Sequence, residues 1–249
     1  MNLRNRVSST FIASIVVVAI AGLMPVAGIA AVSATLGGRN GAATVAQAKA
    51  ATKSKSKLTY KNQYTLVANY DFLKGPRKNS NGTFNVAIEI PAGTSQKWET
   101  STTATNVMYW EFKKGKPRVI SYLPYVGNYG SLVNSKADDG DPLDVLVLAP
   151  AVTRGTIQKV RIIGVLKVSE PDDSAPGGKV TDDKLIAVAD GAPLAGVSSL
   201  AALNAGFPGV TSIVRTWFEN YKGAGAMTFE GWGEAAEATA MADSVPAFK

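Results

Sequence analysis

The sequence predicts a mainly-β fold in which a twisted sheet closes on itself and helices pack outside it. Strand-like runs fill the first two-thirds of the region after residue 57, whereas helical spacing appears only near the C-terminus. Residues 58–249 also contain no internal repeat and no second linker, so the runs belong to one domain.

The elements follow in order. FNVAIEI (84–90) alternates, with Phe84, Val86, Ile88 and Ile90 on one face and Asn85, Ala87 and Glu89 on the other. VMYWEF (107–112) and PRVISYL (117–123) flank a KKGK turn. LDVLVL (143–148) follows, then TIQKVRIIGVLKV (156–168), long enough to bend, and LIAVA (185–189). Gly-rich joints near 127–130, 155 and 177–178 separate these runs. TSIVRTWFENYK (211–222) sets Ile213, Val214, Trp217 and Tyr221 on neighbouring helix faces. GEAAEATAMA (233–242) is a short Ala/Glu helix, stopped before Pro246. Trp217, Phe218 and Trp232 are read as packing aromatics.

Ahead of this domain, MNLRNRVSST is a basic n-region, followed by a long apolar run and then Val32-Ser33-Ala34. Residues 1–34 therefore read as a secretory signal peptide, with a retained anchor as the alternative because the run is long enough to span a bilayer. Residues 35–57, rich in Ala, Gly, Ser, Thr and Lys, read as a flexible linker. The expectation is an exported protein, periplasmic or extracellular, with no stable membrane association after cleavage.

Composition narrows the chemistry. The 249 residues carry a net charge of +7 and contain neither His nor Cys. Histidine bases, thiolate nucleophiles, disulfides and Cys/His zinc sites are thereby excluded. Metal chemistry would fall to carboxylates and hence to hard cations such as Mg²⁺, Mn²⁺ or Ca²⁺. The basic residues are dispersed, and the densest run (Lys49, Lys53, Lys55, Lys57, Lys61) lacks interleaved aromatics, so no nucleic-acid partner is expected.

The sharpest feature is DDGDPLDVLVLAP (138–150). Asp138, Asp139, Asp141 and Asp144 crowd into seven residues, where mutual repulsion favours a multivalent cation or an opposite charge. An EF-hand fails, because Ala149 or Pro150 stands where the loop needs its last Glu. The cluster alone is read as a divalent metal site or as a solvated acidic turn.

EIPAGTSQKWE, NYG, DGDPLDVLVLAP, GVLKV and WFENYK followed by EGW, in this order over about residues 84–233, resemble the soluble inorganic pyrophosphatases of the Mg²⁺-dependent, OB-barrel type. The resemblance implies an OB-like closed five-stranded barrel with extra β-hairpins and two C-terminal helices packed outside. It also implies hydrolysis of inorganic diphosphate to two orthophosphates with Mg²⁺. By motif, Asp139, Asp144 and Asp182 resemble metal ligands, while Glu89 and Glu170 match acids near the metals. Asp141 resembles the carboxylate that helps deprotonate the attacking water. Lys97, Tyr125, Tyr129, Tyr221 and Lys222 match groups that hold the phosphates, Glu99 a supporting acid, and Lys184 a cation beside the metal cluster.

Three departures stand out. Ser121 occupies the position of a phosphate-binding arginine, leaving Arg118, three residues earlier, to reach the site only through a bulge or a rebuilt loop. Glu170 replaces the usual Asp and is followed by an insertion (172–181), which makes Asp172 and Asp173 alternative donors and Asp183 a competitor of Asp182. GAGAMTF (223–229) is short and lacks lysine. The alternative function is therefore a non-catalytic or weakly active homologue that binds divalent metal and phosphate or polyphosphate. A homo-oligomer is the expected assembly.

Overall fold

A computed structural model describes residues 57–137 and 139–248. The expected signal peptide (1–34) and all of the expected linker except Lys57 lie outside the described residues.

The strands are β1 (Leu58–Asn62), β2 (Thr65–Ala68), β3 (Phe84–Ile90), β4 (Trp98–Thr100), β5 (Val107–Trp110), β6 (Phe112–Lys113) and β7 (Lys116–Pro117). They continue with β8 (Asn128–Leu132), β9 (Asp144–Leu148), β10 (Ile157–Pro171), β11 (Lys179–Thr181), β12 (Lys184–Ala189) and β13 (Thr228–Glu234). The helices are α1 (Leu200–Gly206), α2 (Val210–Asn220) and α3 (Ala235–Ser244). None of the helices among the described residues is long and apolar enough to cross a membrane.

A seven-stranded mixed sheet follows the order β11-β10-β12-β9-β8-β3, with β13 on β10 and a further pairing of β10 with β3. Only β12 and β9 run parallel within it. A separate antiparallel sheet has the order β1-β2-β5-β4. These findings correct the expected closed five-stranded barrel with two helices outside. The 15-residue β10 carries a bulge between Ile162 and Gly164 and pairs in turn with β3, β12, β13 and β11. Pairing with four partners branches the sheet at β10, a geometry that a simple five-stranded barrel lacks. The third helix, α1, is capped by the Ser199 hydroxyl, which accepts from the Ala202 amide.

Strand alternation places two apolar clusters on opposite faces of the large sheet. Val145 and Val147 join Phe84, Val86, Ile88 and Leu185 under α3, whereas Leu146 and Leu148 join the cluster holding Trp98, Trp217 and Phe218. The alternation of β3 is broken by a bulge between Ile88 and Ile90, so Ile90 leaves the face of Ile88 and joins that of Ala87. On α2, Val214, Trp217 and Phe218 are buried, but Ile213 is exposed, contrary to its expected packing.

Of the glycines in 127–130, Gly130 lies inside β8 rather than in a joint, while Gly127 precedes the strand in a bend. A Cβ on Gly130 would stand 1.9 Å from the Ala87 carbonyl oxygen, so glycine is what lets β8 approach β3. The KKGK segment does turn as expected, with Lys114 and Gly115 at φ 52° and 73°. Its second arm ends at Pro117, and the rest of PRVISYL leaves the sheet.

Candidate functional site

The two sheets and the end of α2 enclose a cavity of about 510 Å³. Every predicted site residue lines it except Tyr125. That residue is buried, its ring 5.1 Å from Tyr129 and 4.5 Å from Trp217. Trp217 in turn stacks on Tyr221 at 4.6 Å, so α2 supports an aromatic floor.

The DGD segment is shaped locally. Gly140 adopts φ 93°, and the Asp141 amide donates to Asp139 Oδ1 at 2.9 Å. Asp144 opens β9, and its parallel pairing with β12 brings Lys184 beside it. The Lys184 ammonium, 2% exposed, bridges the carboxylates of Asp144 and Asp182. Burial works against that charge, but the two carboxylates outweigh burial and raise the lysine pKa. Asp182 and Lys184 both line the cavity, as their two-residue spacing on an extended chain requires, while Asp183 turns aside and accepts from the Val168 amide.

Glu89 is buried on β3. Its Oε1 accepts from the Thr100 amide at 2.9 Å and the Ser131 hydroxyl at 2.7 Å. Burial pushes its pKa up to about 7, against the opposing pull of Lys97. Burial also raises the Asp141 carboxyl, with Asp139, Glu99 and Asp144 adding repulsion. Lys97 pairs with Glu99 at 3.1 Å. Burial alone would lower the Lys97 pKa, but Tyr125, Glu99, Glu89 and Asp144 hold it above the usual lysine value. Lys222 ion-pairs with Glu170 and lies 3.6 Å from Asp182. Burial holds the Tyr129 and Tyr221 phenols well above their ordinary pKa, so both remain proton donors.

Arg118 reaches the cavity by a rebuilt loop. Once the strand ends at Pro117, the Arg118 carbonyl accepts from the Lys97 amide, while Val119 bridges to Gln96. Arg118 Nη1 donates to both oxygens of Glu111, at 2.9 and 2.8 Å. Sequence reasoning missed Glu111, although its place just before the KKGK turn puts it across the hairpin from Arg118. It also missed Tyr109, Ser131 and Thr100 in the wall, for isolated hydroxyl residues in strands carry no motif. Of the alternative donors, Asp172 lines the cavity.

Eight carboxylates (Glu89, Glu99, Asp139, Asp141, Asp144, Glu170, Asp172, Asp182) face four cationic side chains across this one cavity. Among the described residues, no three acids stand ready-made around one ion. Lys184 occupies the space between two of them. The donors are nonetheless all hard oxygens in excess over the lysines and arginine, a set that fits hard divalent cations.

Fold and cavity together define a class: mainly-β proteins that gather carboxylates and lysines in one cleft without histidine or cysteine. Residues 86–246 match the family model described as inorganic pyrophosphatase. The chain is 36% identical over 174 residues to inorganic pyrophosphatase 1 of Pseudomonas syringae, covering 66% of this chain and 90% of the relative. Identity to the inorganic pyrophosphatase of Leifsonia xyli is 38% over 161 residues, covering 62% and 88%. With the Kluyveromyces lactis enzyme it is 30% over 162 residues, and there the match spans about half of the relative, 54%, and 57% of this chain. The fold is similar to type I inorganic pyrophosphatase from Toxoplasma gondii, with a TM-score of 0.63 and 22% identity, covering 77% of this chain and 96% of that one. The chain belongs to the inorganic pyrophosphatase family.

Proposed function

We propose that this protein hydrolyses inorganic diphosphate to two orthophosphates in the cavity described above, with Mg²⁺ or a similar hard divalent cation as cofactor. The observation that carries the reading is the excess of eight carboxylates over four cationic side chains in one cleft of a chain whose net charge is +7. Such a cleft repels a polyanion until cations fill it. Asp139, Asp144, Asp182, Glu170 and Glu89 are the residues that would hold them. When bound, such cations acidify water and neutralise the diphosphate oxygens.

The chain's own groups supply the rest. Asp141 takes the proton of the attacking water, and its raised pKa makes it a better acceptor than an ordinary aspartate. Lys97, Lys222 and Arg118 offset charge on the phosphoryl oxygens, while the Tyr129 and Tyr221 hydroxyls donate to the same oxygens. Tyr125 acts from behind, by supporting Tyr129 and facing Lys97. Lys184 and Glu99 keep Asp144, Asp182 and Lys97 in place. The arrival of Arg118 at the cavity favours this reading over a non-catalytic phosphate binder, since a guanidinium is present despite Ser121.

Export directed by residues 1–34, a linker to residue 57 and a homo-oligomeric assembly belong to the same proposal. Phosphate release from diphosphate by the full chain, in Mg²⁺ and in chelator, tests the activity. Magnesium-dependent turnover that falls at least about a thousandfold in Asp141→Asn is expected. Metal binding without turnover would overturn the reading in favour of the binding homologue.

A further inference from the structure

We propose that the Tyr109 hydroxyl is a substrate-binding group of this site, donating to a phosphate oxygen of diphosphate beside Lys97. The proposal rests on the diphosphatase reading above and adds a residue that no motif in the sequence marks.

Tyr109 lies on β5 directly opposite Glu99 on β4. A cross-strand pair shares one face of its sheet, and here that face is a wall of the cavity. The Tyr109 hydroxyl donates to Glu99 Oε2 at 3.1 Å, while the other oxygen of Glu99 pairs with Lys97 at 3.1 Å. The phenol therefore stands next to the lysine assigned to the phosphate, and Asp141 is among the charges that act on it. Burial first, and then Glu99, push its pKa up to about 12, so it remains a neutral donor at any working pH near neutrality. At 39% exposed it is open to a ligand.

The cationic donors in the wall are committed. Each cationic side chain lining the cavity already has a carboxylate partner: Lys97 with Glu99, Arg118 with Glu111, Lys184 with Asp144 and Asp182, and Lys222 with Glu170. A phosphate drawing on those cations must compete with an anion. Tyr109 differs, since turning it from Glu99, whose charge Lys97 already offsets, to an unneutralised phosphate oxygen exchanges a weaker hydrogen bond for a stronger one. Glu99 keeps Lys97 throughout. The site can thus gain a donor on its phosphate side, where the Arg118 guanidinium is already paired with Glu111, without uncovering a buried charge.

Tyr109→Phe in the full chain tests the proposal, with Tyr122→Phe, an exposed tyrosine outside the cavity wall, as control. At saturating Mg²⁺ the KM for diphosphate is expected to rise about tenfold in Tyr109→Phe, the effect of losing the advantage of the phosphate hydrogen bond over the one to Glu99. The Mg²⁺ concentration for half-activation, the Tm and the control variant should stay at wild-type values. A KM within about twofold of wild type overturns the proposal, and so does a KM rise that comes only with a lowered Tm. Calorimetric binding of methylene diphosphonate in Mg²⁺, which needs no turnover, separates the two readings. Absence of wild-type phosphate release defeats the diphosphatase reading alone, whereas equal diphosphonate affinity in wild type and Tyr109→Phe defeats the role of Tyr109.

Discussion

Glu89 shows how neighbours decide the state of a carboxyl. Alternation in FNVAIEI sends it away from Phe84, Val86 and Ile88, and that much is visible in the sequence. Its burial, and the donors Thr100 and Ser131 that come from other strands, are not. With the pKa raised from 4.5 to about 7, the folded state holds this proton more tightly than the unfolded chain. The contribution of Glu89 to stability is thus most favourable below pH 4.5, declines as pH rises through this window, and levels off above about 7. In chelator, Glu89→Gln should lack that decline, so its urea midpoint should gain on that of wild type between pH 5 and 8. Parallel pH profiles of the two proteins would contradict this. Added Mg²⁺ should flatten the wild-type profile, because a bound cation favours the ionised carboxylate. The choice between Asp182 and Asp183 also rests on neighbours: two adjacent acids look alike in the chain, and only the Val168 amide and Lys184 separate them.

Among the elements, β3, β9, β10, β12, α2 and α3 were legible because continuous or periodic apolar residues mark them. β8 was not. Its glycine reads as a break in isolation, yet it is required by the approach of β3. Gly130→Ala should therefore cost about 3 kcal/mol or more, since the methyl meets backbone that cannot swing aside. Urea unfolding measures this, and a loss below about 1 kcal/mol would show that β3 and β8 can part. β1, β2 and β4 escaped notice because they are short and partly exposed, and α1 because its seven residues barely complete two turns. The insertion at 172–181 shows no strand pattern, but its last three residues fold back as β11 on the end of β10, and Asp172 lines the cavity wall.

Across the whole molecule, charge is arranged against its own average. A chain with net charge +7 gathers eight acids around one cleft, and their repulsion is relieved only in part by four cationic groups. Mg²⁺ at about a hundred times its Kd should stabilise the fold by about 2.7 kcal/mol, or roughly 5–10 °C in Tm. Asp144→Asn should lose most of this gain, and a Tm indifferent to Mg²⁺ in the wild type would exclude a hard-cation site. The sequence by itself determined the chemistry available: without His or Cys, only carboxylates, lysines, arginines and hydroxyls could act, and the spaced motifs marked most of them. It also determined the strand-rich character, since side-chain periodicity is a local property. Tertiary structure alone decided how the sheets branch, which of two adjacent acids faces the cleft, how Arg118 reaches it after leaving its strand, and that Tyr109 stands opposite Glu99. Those outcomes depend on pairings between segments far apart in the chain, whose energies no local pattern of residues records.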